Sequence, residues 1–344
     1  VTTAKRRVQL VFAASALSVL LVGCVDAPAP VVPPEPEYVS TWVEPEPTAI
    51  APLRGTLVEA GAATNPSIAA KIDNHVGARP QVGLDRTDIV FEELVEGGLT
   101  RYVAIWQSDV PEEIGPVRSI RPMDPDIVSP FKGIIAYSGG QPRFVQLMKD
   151  SGVYNAIHGQ RDTADTFYRT PSKRAPHNVL VKAQKVIAGH KDLAAPEQQF
   201  GYSDDLASSS AVRAGKKIRR IDLVFGAASK PGWGWDETNA VFAREQAGAK
   251  DMAASGKRLT ATNVVVLRVS ISTGLGVPKT ELVGSGEAWV ASGGSLVHAT
   301  WSKGSRTERI RLVDDAGANI HLAPGNTWVE LVPASGSAKF TDAE

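Results

Sequence analysis

Residues 133–152 read GIIAYSGGQPRFVQLMKDSG, and this stretch decides the fold class of the first half of the chain. Gly133 to Tyr137 is a short apolar run with two adjacent isoleucines, the composition of a buried strand. Ser138-Gly139-Gly140-Gln141 interrupts it with turn residues. Pro142 stands at a first helical position, where its missing N–H costs nothing, and Gly152 stands just past the end. Between them Phe144, Val145, Leu147 and Met148 recur at helical spacing. The pattern predicts strand, glycine-rich turn, helix. Backbone amides at Ser138, Gly139 and Gly140 can bind an anion at such a helix start. Most strand–turn–helix units bind nothing, and no Walker-type lysine follows this one.

Working outward, Ser67–Ile72, Asp88–Leu94 and Arg101–Trp106 read as strands. Residues 64–200 are therefore expected to form an α/β or α+β domain with a mixed sheet. Further on, short β-branched runs recur between Gly, Ser, Asn and Asp: 218–225, 240–244, 264–271, 287–290, 297–301, 310–313, 320–322 and 328–332. They predict a β-rich, sandwich- or barrel-like domain over 210–335. Trp233, Trp235, Trp289, Trp301 and Trp328 fall here. Core filling is the ordinary role for tryptophan in such a domain. Trp233 and Trp235, beside glycine-rich turns, are the pair expected at the surface, where they could stack on sugars.

The amino-terminal stretch follows a different logic. Lys5, Arg6 and Arg7 precede an apolar run from Val8 to Val22, which ends Leu21-Val22-Gly23-Cys24. This is the layout of a secretory signal. Leu-Val-Gly-Cys resembles a bacterial lipobox, which implies removal of 1–23 and acylation of Cys24, with chains such as palmitate. Cys24 is the sole cysteine among 344 residues. Residues 24–63 are proline-rich and carry Glu35, Glu37, Glu44 and Glu46. They read as an extended tether, with no fold expected over 25–52. The expected location is the extracytoplasmic face of the cell membrane. A formal net charge of +0 gives no basis for non-specific nucleic-acid binding.

Polar residues concentrate in proline-stiffened connections: Arg79-Pro80, Arg101, Gly115-Pro-Val-Arg118-Ser-Ile-Arg121-Pro122, and Lys173-Arg174-Ala-Pro-His177-Asn178. Guanidinium groups suit bidentate contact with phosphate or carboxylate. Asp73, Glu92, Glu96 and Asp124 are available either as internal partners or as acid and metal candidates. An anion site and an internal ion-pair network both fit Arg118 and Arg121; for Arg79 and Arg101 the network is the simpler reading. His75 and His177 sit among these motifs. The six histidines show no H-E-x-x-H or close pair, so zinc has little support. No G-x-S-x-G elbow is present.

These segments carry a resemblance. IDNHVGARPQVGLDRTDIVFEELVEGGLTRYVAIW, IGPVRSIRP and FYRTPSKRAPHNV, followed by NVVVLRV, GSGEAWV, ATWSKGS and LAPGNTWVELVP, resemble the YerB-like bacterial lipoproteins, a two-domain family of unknown function. The resemblance spans about 64–333. It implies a two-domain envelope lipoprotein and supplies no reaction. Asp73 stands where glutamate is common in the family, and Phe91 where tyrosine is usual. Two functions follow as expectations. The first is a lipid-anchored protein that binds an anionic lipid-linked or polymer ligand, or an envelope protein partner. The second rests on a looser similarity of layout to LytR-CpsA-Psr enzymes, which act on polyprenyl-pyrophosphate carriers. There the arginines would neutralise pyrophosphate, and Asp73, Glu92 or Asp124 would hold Mg²⁺ or accept a proton.

Overall fold

The computed structural model of the protein describes Trp42 and residues 46–343, so Cys24 and the signal lie outside the described residues. The first half supplies β1 (Ile68–Asp73), β2 (Ile89–Leu94), β3 (Thr100–Trp106), α1 (Asp124–Val128), β4 (Ile134–Tyr137), α2 (Pro142–Lys149), β5 (Tyr154–Ile157) and β6 (Val179–Lys182). The second half supplies β7 (Lys216–Val224), β8 (Pro231–Asp236), β9 (Val241–Gln246), β10 (Asn263–Ser272), β11 (Gly284–Ser292), β12 (Ser295–Lys303), β13 (Thr327–Pro333) and β14 (Ser337–Asp342).

The expected mixed sheet is present, but the α/β character expected of the first half is not clearly shown. The protein is mostly β, and strands from both halves enter one mixed sheet. Its order runs β5-β4-β1-β3-β2-β13-β10-β11-β12. β13 lies parallel to both β2 and β10, so a strand from the end of the chain joins the two halves. β7 pairs with β12 through Lys216 and Lys217, bends at an irregularity between Ile218 and Arg220, and then enters a second sheet. That sheet is ordered β14-β7-β8-β9.

Side chains on successive strand residues point to opposite faces, and both faces of the large sheet are buried. Val103 and Ile105 of β3, Val265 and Leu267 of β10, and Val329 and Leu331 of β13 pack with Ile127 of α1 and Phe144 and Met148 of α2. On the other face Tyr102, Ala104, Val264, Val266 and Trp328 pack with Ile221, Trp233 and Phe242 of the second sheet. Two buried faces explain the near-continuous apolar runs in the sequence.

Trp233 is fully buried, which corrects the expectation of a surface pair with Trp235. Its indole N–H donates to Glu330 at 2.8 Å, and its ring meets Trp328 edge-on at 5.2 Å. The end of the expected tether is also folded. Thr48–Ile50 pairs with Leu57–Glu59 in a hairpin. Ala51 and Leu53 are fully buried, and Arg54 Nε lies 2.7 Å from Asp88. Leucine burial and a paired arginine outweigh the proline composition just upstream. Among the described residues no helix is long and apolar enough to cross a membrane.

Candidate site: an arginine pocket over the Asp73–His177 pair

The ends of β1 and β3 carry the first site residues. Asp73 closes β1, and its Cα partner across the ladder is Arg101 of β3. The chain then turns through Asn74 and His75. Arg79 fixes this turn by donating Nε–H to Asn74 Oδ1 at 2.9 Å and Nη2–H to the Asn74 carbonyl at 2.8 Å. Segment 117–121 runs beside β1. The Arg118 N–H donates to the Lys71 carbonyl, the Ser138 N–H to the Arg118 carbonyl, and the Ile120 N–H to the Gly139 carbonyl. Ser138 and Gly139 thus brace the arginine segment, and Ser138, Gly139 and Gly140 are not among the residues lining the arginine pocket. A Cβ on Gly140 would lie 3.0 Å from Ile120, so the approach is close.

The pocket has a volume of about 250 Å³ and is lined by Arg101, Arg118, Arg121, Asp73, His75, Glu96 and His177, among others. Arg101 donates Nη1–H to the Ser119 carbonyl at 2.6 Å, and Arg121 Nη1 donates to Ser119 Oγ at 2.9 Å. Arg121 Nε is 2.8 Å from Glu96. Burial raises the Glu96 carboxyl, but the Arg121 hydrogen bond and charge outweigh it and leave the group below its ordinary range. Burial, then the neighbouring Arg121 and Arg118 charges, lower the Arg101 guanidinium to about 10. Arg118 Nε lies 3.2 Å from Asp73 Oδ2, yet this buried N–H has no aligned acceptor. Three arginines against two carboxylates leave a surplus of one positive charge in the pocket.

His177 Nδ1 lies 2.6 Å from Asp73 Oδ2. An ionised carboxylate only accepts, so Nδ1 carries the proton. His75 Nδ1 accepts the Gly77 N–H at 3.0 Å, and its ring stacks on His177 at 4.2 Å with planes 8° apart. The backbone N–H of His75 donates to Asp73 Oδ1 at 3.1 Å. Asp73 thereby holds the His177 ring, the His75 backbone and Arg118.

Other candidates lie elsewhere. Arg174 is exposed and does not line the pocket. Asn178 is buried, accepting from Arg169 Nη1 at 2.8 Å. Glu92 points to the opposite sheet face, where it pairs with buried Arg244 and accepts from Thr100 Oγ1 at 2.6 Å. Asp124 lies beneath the pocket, 2.6 Å from Lys71 Nζ, and it also accepts the Arg121 N–H at 2.6 Å. Each of the acidic candidates is therefore held by a cation; Asp73 and Glu96 share the pocket, while Glu92 and Asp124 lie outside its lining. Among the described residues no group of three His, Cys, Asp or Glu side chains could hold a metal ion. Sequence reasoning passed over Ser119 as a site residue, along with Lys71 below it. Ser119 is legible as the serine between two arginines; Lys71 carries no signal beyond strand alternation.

Two family descriptions match. Residues 53–196 match the N-terminal domain of a protein of unknown function (DUF3048), and residues 221–329 match its C-terminal domain. The chain belongs to the YerB-like two-domain family. YerB of Bacillus subtilis strain 168, a candidate lipoprotein by name, is 26% identical over 304 residues, covering 86% of this chain and 89% of YerB. The crystal structure of the B. subtilis YerB protein shares the fold with a TM-score of 0.73 at 23% identity. That match covers 85% of this chain and 99% of the YerB chain. The family description assigns no activity, so the pocket is read on its own chemistry.

Proposed function

We propose that this protein is an envelope lipoprotein, acylated at Cys24, whose arginine pocket binds a phosphate-bearing ligand. The carrying observation is the convergence of Arg101, Arg118 and Arg121 on one pocket with a surplus positive charge. Phosphate presents several acceptor oxygens and suits guanidinium forks. The lipobox at Leu21–Cys24 and the name of the B. subtilis relative support the anchor.

Calorimetric titration of the full chain with inorganic phosphate and pyrophosphate tests the ligand reading. Binding is expected, weakened about 10- to 100-fold in Arg101→Met, the range for losing one charged hydrogen-bonding group. A folded protein that binds neither anion overturns the reading. Labelled palmitate should enter the protein in cells and be lost in Cys24→Ser; label retained in that variant would remove the anchor.

A further inference from the structure

We infer that the pocket is catalytic as well as binding: His177, oriented by Asp73, acts as the general base in hydrolysis of a terminal phosphoryl group held by the arginines. The inference rests on the anion reading above. Three observations carry it beyond binding.

The first is the Asp73–His177 contact at 2.6 Å. With the Nδ1 proton committed to Asp73, the Nε2 lone pair of the neutral ring is the basic one. A carboxylate in this position fixes the tautomer and stabilises the imidazolium that forms on proton uptake. The second is that His177 Nε2 has no hydrogen-bond partner among the described residues, although the ring lines the pocket. Its lone pair is therefore available to a water in the pocket. The third is ring support. His75 stacks on His177, and a Cβ added at Gly77 would lie 3.2 Å from His177 Cδ2, so the imidazole is confined on that side. Confinement near an anion site is what positioning a reacting water requires.

The step balances without a further reactant. A water oxygen forms a bond to phosphorus while His177 Nε2 takes one of its protons. The phosphorus–oxygen bond to the leaving group breaks in line on the opposite side, the departing oxygen takes a proton from solvent, and His177 releases its proton to solvent. The products are inorganic phosphate and an alcohol, or a second phosphate from an anhydride. The arginines stabilise the charge on the transferring phosphoryl oxygens.

The test uses the full chain with p-nitrophenyl phosphate as ester probe and inorganic pyrophosphate as anhydride probe. Product release and calorimetric phosphate binding are read separately. Wild-type protein should release product from at least one probe. His177→Asn should lower kcat by 10²-fold or more, in the range for loss of a general base, while phosphate affinity stays within about threefold. His177→Gln serves if the Asn variant misfolds. Phosphate binding without release from either probe, or release equal in wild type and the histidine variant, overturns the catalytic inference and leaves the binding reading standing. Absence of phosphate binding by folded protein overturns both.

Discussion

At the residue scale, the ground beneath the arginine pocket is itself charged. Lys71, Glu93 and Asp124 are fully buried, and Lys71 Nζ contacts both carboxylates. Burial, then the Asp124 charge, raise the Glu93 carboxyl to about 8, with Lys71 opposing. A group whose folded value is raised favours the folded state below its ordinary value. That contribution is lost as pH rises through the folded value. Between about pH 4.5 and 8 the folded state holds a proton that the unfolded state has released. Stability should fall across this window by at most about 1.4 kcal/mol per pH unit from this group. Glu93→Gln keeps the shape and removes the titration. Denaturant unfolding of both proteins at about pH 5 and pH 8 should show the smaller pH change in the variant; equal changes would remove Glu93 as the titrating group.

At the scale of elements, legibility divided along a physical line. Strand positions were readable because burial on both faces demands apolar residues almost without interruption, as in Val264–Leu267. Which face a polar residue takes was not readable. Glu92 and Glu93 are neighbours in β2, yet one pairs with Arg244 under the second sheet and the other with Lys71 under the pocket. A shift of one residue reverses the face, and the sequence does not reveal which side holds which partner. The arginine segment stood out because proline brackets it, whereas its contact with Asp73 and His177 needed the tertiary fold. The hairpin Thr48–Glu59 was hidden by the Pro- and Glu-rich stretch ahead of it. Burial of Leu53 gives this element a measurable role. Leu53→Ala should destabilise the fold by about 2–5 kcal/mol, the range for a buried leucine truncation. Chemical denaturation measures this directly. A change below about 0.5 kcal/mol, typical of exposed positions, would return the segment to the tether.

At the scale of the whole molecule, the two family domains do not divide the core. β13 is hydrogen-bonded to β2 on one side and β10 on the other, so it belongs to both halves. Trp328 of β13 meets Tyr102 of β3 at 5.3 Å and Trp233 of β8 at 5.2 Å, while Arg244 of β9 lies 4.8 Å from its ring. Removing everything after residue 200 would leave β2 with an open edge and strip the second sheet from one face of β1–β3. An open edge and an uncovered apolar face both favour aggregation over folding. The fragment 64–200 is therefore expected to lack a cooperative unfolding transition. The full chain should unfold in one step, with the tryptophan signal and the backbone signal coinciding, as a two-state unit does. Two separated transitions, or a fragment that unfolds cooperatively alone, would show that each family domain carries its own core. In that case the pocket, built wholly from residues before 200, could be studied without the second half. Under the shared-core arrangement a change in the second half reaches the pocket through β13 and β2. Trp328→Ala should then weaken phosphate binding by destabilising the strand that precedes Glu96, although no atom of Trp328 lines the site.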